Sequence, residues 1–425
     1  MTALVIGFMG LSHLGLNSAV ASAEHGFQTI GFDPDHERVG QLRDGKVHIS
    51  EPGLSELLSK NRDRLTFAAD DDAVKGCDVV FVALDVETDD EGRSDLRAVD
   101  ALIELALART HENAAIVVLS QVPPGYMRPR SAGDRALYYQ VETLIFGRAV
   151  ERALHPERFI VGAADPDAPL PAAYEAYLER FGCPRLIMRY ESAELAKISI
   201  NCCLAASISA ANMLAELCES VGADWSEIAP ALKLDQRIGP RAYLTPGLGI
   251  AGGNLERDLW VVRRMAEEYG SDAGVVSSWI ANSAHRKEWA YRTLQSHLLD
   301  NNPHARIAVL GLAYKENTDS TKNAPALALL ARLSVEHVTV YDPVVGDIAV
   351  PNVIRAQSMM AAVKEADAVV IMTPWDEFRT LEPSSLADAM AGRLVLDPFQ
   401  ILNRQAAIAV GLEYVTLGVS ERGLY

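Results

Sequence analysis

Two stretches near opposite ends of this chain follow one plan: an apolar run closing on glycine, a helical stretch, then a second apolar run closing on Asp-Pro. Val5-Ile6-Gly7 leads to Phe32-Asp33-Pro34, and Val309-Leu310-Gly311 leads to Tyr341-Asp342-Pro343. Short buried strands alternating with amphipathic helices imply a parallel sheet with helices on both faces, because each helix carries the chain back to start the next parallel strand. Around the first copy, residues 4–8, 28–33, 65–68, 78–84 and 116–120 read as buried strands, with further strands at 139–143 and 158–162. Helical spacing marks 14–24 and 99–108. Around the second copy the strands fall at 306–310, 338–342, 368–373 and 394–397.

The middle differs. From Ser192 to about Val221 the pattern predicts one long helix rich in Ala, Ser and Leu, with few charges, suited to burial against other helices or a second subunit. Helices are also predicted at 255–269 and roughly 275–299, preceded by a Gly/Pro-rich loop, 239–253, too long for a simple connection. The polar stretch 301–304 reads as a linker. Two doubly wound α/β domains, 1–190 and 303–425, are therefore expected to bracket a helical region, 191–302.

The balance of 39 Lys and Arg against 57 Asp and Glu gives a net charge of −18, which argues against nucleic acid or an anionic membrane as a partner. Five cysteines, odd in number and without metal-like spacing, suit a cytoplasmic protein with buried thiols and no metal site. The apolar segment 4–23 ends in Ala21-Ser22-Ala23, which imitates a cleavage site. No Lys or Arg precedes Arg38, however, and Ser12 and His13 interrupt the run, so a first strand with its turn explains it better than a leader. No other uninterrupted apolar stretch is expected to span a bilayer.

Gly10-Leu11-Ser12-His13-Leu14-Gly15 follows the first strand and opens a helix. This is a G-x-G-x-x-G pattern with Ser12 in place of the middle glycine. Such a turn brings a dinucleotide diphosphate against a helix N-terminus. Gly10, Ser12, His13, Leu14 and Gly15 are thus candidate cofactor contacts. Asp33 closes the second strand, where a carboxylate accepts from the ribose 2′-hydroxyl and repels a 2′-phosphate, so NAD is expected over NADP.

Several separated segments resemble one family in order. Ser50-Glu51-Pro52-Gly53-Leu54 is similar to its Y-E-P-G-L, and Ser120-Gln121-Val122-Pro123-Pro124-Gly125 to its S-T-V-P-P-G. Glu194, Lys197 and Asn201 match its E-x-x-K-x-x-x-N helix; Asp235-Gln236-Arg237-Ile238-Gly239, Gly247-Leu248-Gly249, Gly311-Leu312-Ala313-Tyr314-Lys315 with Thr318-Asp319, and Trp375-Asp376-Glu377-Phe378 continue the series. The family is that of the UDP-glucose/GDP-mannose dehydrogenases. The resemblance implies two Rossmann-like domains joined by a central helical dimerisation region, in a homodimer or higher oligomer. It also implies oxidation of the C6 hydroxyl of a nucleotide sugar, UDP-hexose by family default, with two NAD and a cysteine that carries a thioester.

Carried over residue by residue, the resemblance makes Lys197, Asn201 and Asp258 catalytic, with Lys197 steadying an alkoxide while a water held by Asp258 takes the proton. Glu142 matches a carboxylate that assists hydrolysis, although Phe146 removes a second one nearby; it also reads as a structural acceptor at a strand end. Ser120 and Lys322 join the cofactor contacts. Arg237, Tyr243, Gly249 and Lys315 are the implied substrate contacts, with Arg237 reaching a neighbouring subunit's site. The main departure is Gly252-Gly253-Asn254-Leu255-Glu256-Arg257-Asp258, where the family has G-G-S-C-F-P-K-D. Asn254 takes the cysteine position, where it is expected to cap the helix that follows. An amide forms no thiohemiacetal. Cys202 and Cys203 lie beside Asn201 but off its helix face, so they are not expected to substitute. Gln121 replaces a threonine, Val86-Glu87 replaces T-P, and Asp397-Pro398-Phe399 replaces D-G-R. The expectation is alcohol oxidation without a thioester, ending at the aldehyde or passing through its hydrate. Epimerisation by transient oxidation and a non-catalytic nucleotide-sugar or NAD binder stay open as alternatives.

Overall fold

The computed structural model describes residues 4–420, except 88, 90–92, 132, 134, 334–336, 349 and 352. Two compact units form, Met1–Ile200 and Asn201–Tyr425.

In the first unit the chain runs β1 (Val5–Met9), α1 (His13–Glu24), β2 (Gln28–Phe32), α2 (His36–Arg43), α3 (Leu54–Lys60), β3 (Leu65–Ala68), β4 (Val79–Val82) and α4 (Arg97–Arg109). It continues through β5 (Ala115–Val118), β6 (Leu137–Gln140), α5 (Ala149–Leu154), β7 (Phe159–Ala163), α6 (Ala172–Glu179) and β8 (Arg185–Arg189). The sheet order is β3-β2-β1-β4-β5-β6-β7-β8. All pairs are parallel except β6 with β7. Beyond β1 the chain turns back to β2 on one side, and β4 enters on the other, so the strand order reverses between β1 and β4. Ligands of such sheets bind at the carboxyl ends of the strands at this point. β4 and β5 are buried along their whole length, as expected for strands covered on both faces. β6 ends earlier than its apolar pattern suggests, because Glu142 turns its carboxylate back to accept from Leu144 N–H.

α7 (Tyr190–Val221) is 32 residues long and crosses the boundary between the units. By length and composition it is apolar enough to cross a bilayer, which corrects the expectation that no such stretch exists. Its polar groups bond within the fold, as those of a core helix do: the Asn212 side chain accepts from Gly247 N–H, and Glu194 accepts from two backbone amides.

The second unit continues with α8 (Trp225–Leu234), α9 (Asn254–Tyr269), α10 (Gly274–Lys287) and α11 (Trp289–Leu294). The single helix expected over 275–299 is therefore divided, ending in a π turn at Gln295–Leu299. α8 was not anticipated, although Asp224, whose side chain accepts from Ser226 N–H, stands three residues before Glu227 in a recognisable capping pattern. Then follow β9 (Ile307–Leu310), α12 (Pro325–Arg332), β10 (Val338–Tyr341), β11 (Val353–Arg355), α13 (Met359–Val363), β12 (Ala368–Ile371), α14 (Pro383–Ala389), β13 (Leu394–Leu396), α15 (Arg404–Ala409) and β14 (Glu413–Val415). Their order, β11-β10-β9-β12-β13-β14, repeats that of the first six strands, and every pair is parallel.

The two ends share one geometry, in which Gly311 corresponds to Gly10 and not to Gly7, which lies inside β1. Gly10 and Gly311 both have φ of +94°, a left-handed conformation that glycine adopts without strain. Their N–H groups donate to Phe32 and Tyr341 at 2.8 Å in each case. Leu11 N–H reaches Asp33 at 2.7 Å, and Leu312 N–H reaches Asp342 at 2.7 Å.

Candidate active site

The turn from β1 into α1 is built as a dinucleotide turn. A side chain at Gly15 would put a Cβ 1.8 Å from the Gly10 carbonyl and 2.7 Å from that of Ala83, so only glycine lets α1 lie this close to the strands. Asp33 is 2% exposed. Its Oδ2 accepts from Leu11 N–H (2.7 Å) and from Arg38 Nη1 (2.9 Å), and its Oδ1 accepts from Asp35 N–H (3.0 Å). Gly10 and Gly15 thus give a tight turn and a close approach of α1 to the strands, and Asp33 a buried carboxylate just after β2. At the helix start, Ser12 Oγ accepts from Asp85 N–H (2.9 Å) and Leu14 N–H donates to Asp85 Oδ2 (3.1 Å). His13 Nε2 lies 2.7 Å from Glu51 Oε1, and its ring stacks on Phe146 with centroids 4.1 Å apart. Glu51 also accepts from Gly147 N–H (2.7 Å) and Ala149 N–H (3.2 Å), so it joins α1 to the segment that follows β6. Ser120 is buried with its hydroxyl donating to Leu84 O (2.7 Å) and accepting from Leu84 N–H (2.8 Å), where it fixes the loop after β4.

Lys197, early in α7, meets Glu142 across 55 residues of sequence: Nζ is 2.6 Å from Glu142 Oε1 and donates to the Glu142 carbonyl at 3.1 Å. Both side chains are mostly buried. The two contacts and the partial burial hold the Lys197 side chain in one place. One turn earlier, buried Glu194 accepts from Gly125 N–H (2.7 Å) and Met127 N–H (2.8 Å), locking the loop after β5 that carries Gln121. Burial raises the Glu194 carboxyl above the usual carboxylate range, against the pull of those two amides.

Within the second unit, Asn201 Nδ2 donates to Asp258 Oδ2 at 2.5 Å, and Arg257 Nε donates to Asp258 Oδ1 at 3.0 Å. Asp258 is 1% exposed. The turn before α9 is tight: Gly252 has φ of +79°, and a Cβ there would meet the Tyr314 ring at 2.9 Å. Gly252 N–H donates to Lys322 O (3.1 Å), while the Asn323 amide bonds Gly252 O (3.1 Å) and Glu256 (2.7 Å). Gly253 is the cap of α9, and Asn254 is its first helical residue, with its side chain exposed. The expectation that Asn254 caps the helix is thereby corrected. Gly253 itself already has helical backbone angles (φ −100°, ψ −28°), so Asn254 lies within the first turn and not at the cap.

Four of the five thiols have the wrong environment for a nucleophile. Cys202 is pushed up to about 11 by burial, then by the charge of Asp258 and by Cys203. Cys77 is pushed up to about 12 by burial and by Asp78. Burial also raises Cys183 and Cys218. Thiolate, the reactive form, is scarce at each of these four.

The implied substrate contacts all lie in the second unit. Arg237 is exposed and paired with Asp235 at 2.6 Å, and Tyr243 is exposed. Gly249, with φ of +82°, leaves room for Ser283 O, which a Cβ would approach to 2.5 Å. Lys315 Nζ lies 5.6 Å from the centroid of the Tyr314 ring. Lys322 runs beside Gly253, and its side-chain atoms would be 3.4–4.0 Å from a Cβ there.

Three family models match in chain order: the NAD binding domain of the UDP-glucose/GDP-mannose dehydrogenase family over residues 4–179, its central domain over 191–283, and its UDP binding domain over 308–404. A UDP-glucose 6-dehydrogenase of Rhizobium meliloti is 30% identical over 436 residues, covering 97% of this chain and 99% of that relative. The chain belongs to the UDP-glucose/GDP-mannose dehydrogenase family. A second UDP-glucose 6-dehydrogenase, from Haloferax volcanii, is 31% identical, again over 97% of this chain and 99% of the relative. The structure of a UDP-glucose dehydrogenase from the hyperthermophilic archaeon Pyrobaculum islandicum superimposes with a TM-score of 0.82 at 26% identity, covering 97% of each chain. In this member of the UDP-glucose/GDP-mannose dehydrogenase family, the NAD binding domain holds the Gly10 turn, Asp33, Ser120 and Glu142. The central domain holds Lys197, Asn201, Asn254 and Asp258, and the UDP binding domain holds Lys315 and Lys322.

Proposed function

We propose that this protein oxidises the C6 alcohol of a UDP-hexose to the aldehyde, with NAD as the acceptor, and forms no thioester. The observation that carries this reading is the intact buried pairing of Asp258 with Asn201 and Arg257, four residues beyond a position that holds Asn254. The proton-handling groups are kept in order while the position that family resemblance gives to a thiol holds an amide.

Bound NAD supplies the hydride acceptor. The chain's own groups manage charge and protons. Lys197, positioned by Glu142, steadies the alkoxide that forms as the alcohol loses its proton. Asp258 Oδ2 accepts from Asn201 and its Oδ1 from Arg257, which orients the carboxylate toward the water that carries the proton away. The balance is R–CH2OH + NAD+ → R–CHO + NADH + H+. If the aldehyde stays bound as its hydrate, a second equivalent of NAD+ gives the carboxylate, with Glu142 or Gln121 orienting water.

The test is to incubate the protein and NAD with a panel of nucleotide sugars and identify products by mass spectrometry while NADH is counted. One NADH per aldehyde, or two per carboxylate with no protein adduct, supports the reading. Product without net NADH would mean epimerisation instead, and binding without product would mean a silent homologue.

The chain is further proposed to act as a homodimer or higher oligomer. Met213, Leu214, Leu217 and Val221 leave an apolar stripe exposed on the last turns of α7, too costly to leave in water along a helix of this length.

A further inference from the structure

The first turn of α1 already holds a carboxylate of this chain. Asp85 Oδ2 accepts the Leu14 N–H at 3.1 Å, and the Asp85 N–H donates to Ser12 Oγ at 2.9 Å. The arrangement is fixed from behind. Ala83 N–H is bonded to Met9 O at 2.8 Å, and Leu84 is clamped at both its N–H and its carbonyl by the buried Ser120 hydroxyl. The segment therefore delivers Asp85 to the start of α1 from 71 residues away. Ser12, the residue in place of a glycine, supplies the oxygen that receives the Asp85 N–H; glycine offers none. Glu87 follows two residues on, exposed, and adds a second negative charge to the same loop.

The N–H groups opening a helix after a glycine turn are the ones that receive a dinucleotide diphosphate, and they carry roughly half a positive charge between them. A carboxylate on one of them does two things to an incoming diphosphate: it occupies a donor, and it repels the two negative charges. Arg38, which shares Asp33 Oδ2 with the Leu11 N–H, is paired with that carboxylate at 2.9 Å.

We propose that Asp85 is an internal competitor for the cofactor's diphosphate, so that a dinucleotide binds only as the Asp85 carboxylate leaves the Leu14 N–H, and this displacement sets cofactor affinity. The inference rests on the reading of this turn as the NAD site. Ser12 and Asp85 then act as a pair, with the hydroxyl holding the loop and the carboxylate filling the phosphate position.

The test is calorimetric titration of the full-length protein, as wild type, Asp85→Asn and Asp85→Gly, with NAD, ADP and adenosine. Asparagine can still accept from Leu14 N–H, so it removes charge while keeping the cap; glycine removes both. Both variants should bind NAD and ADP about tenfold more tightly, the scale expected for removing a like charge at a helix start, while adenosine binding stays within about twofold. Unchanged or weaker NAD and ADP binding in both variants overturns the proposal, as does an equal gain for adenosine, which would mark a general loosening of the loop. Binding of NAD by wild type and variants alike sinks only the role of Asp85. Failure of all three proteins to bind NAD sinks the cofactor reading and the inference with it.

Discussion

Asn201 and Asp258 are joined by a 2.5 Å hydrogen bond between an α7 amide and an α9 carboxylate that is 1% exposed. The bond orients a carboxylate whose second oxygen is held by Arg257, itself nearly buried. Removing the carboxylate strands a buried guanidinium from this partner and leaves the amide without its acceptor. Asp258→Ala should therefore lower stability by about 2–3 kcal/mol. Asp258→Asn, which can still accept from Asn201, should cost less stability while losing most activity. Urea denaturation beside steady-state rates checks both. Equal stability of wild type and Asp258→Ala would mean that the pair is not formed in solution.

Lys197 should act on rate more than on binding. In the proposed reaction its ammonium meets a charge that develops only as the alcohol deprotonates, so Lys197→Ala should reduce kcat at least about a hundredfold with little change in KM. A large rise in KM at constant kcat would make the lysine a binding group only.

The thiols should be bystanders. With Cys202 pushed up to about 11, well under about 0.1% is thiolate at pH 7.5. Thiolate appears only as pH rises through that value. Alkylation of Cys202 at neutral pH should be slow, and alkylating agents should not abolish turnover. Intact-protein mass spectra recorded during turnover should show no substrate adduct; an adduct on any cysteine, with two NADH per carboxylate, would restore the thioester route.

NAD should bind at least about tenfold more tightly than NADP, or 1.4 kcal/mol, since Asp33 presents a buried carboxylate at the end of β2. Equal affinities by calorimetry would show that the Arg38 guanidinium bonded to Asp33 turns outward and receives the 2′-phosphate.

The stripe at the end of α7 predicts a dimer. Sedimentation at micromolar concentration should give twice the chain mass or a multiple of it. Leu217→Glu, placing a charge on that stripe, should shift the population toward monomer without unfolding it.

Much of the architecture was written in local periodicity. The alternation around Val5–Met9 and Ile307–Leu310, the glycines that follow these strands, and the acids Asp33 and Asp342 announced two parallel sheets of one design, because strand and helix periods are set by neighbours two to four residues away. The Gly252 turn and the start of α9 were legible for the same reason, though not which residue caps the helix: Asn254 has the chemistry of a cap, but the backbone places Gly253 there. The contacts that give the site its character were not legible. Lys197 finds Glu142, Asn201 finds Asp258, and Asp85 finds Leu14 only once the strands have taken their order, over separations of 55, 57 and 71 residues. Spacing along a chain fixes which side chains share a face. Which two faces meet is decided by the sheet order and the packing of the helices upon it, and the electrostatic partnership of each buried charge follows from that meeting.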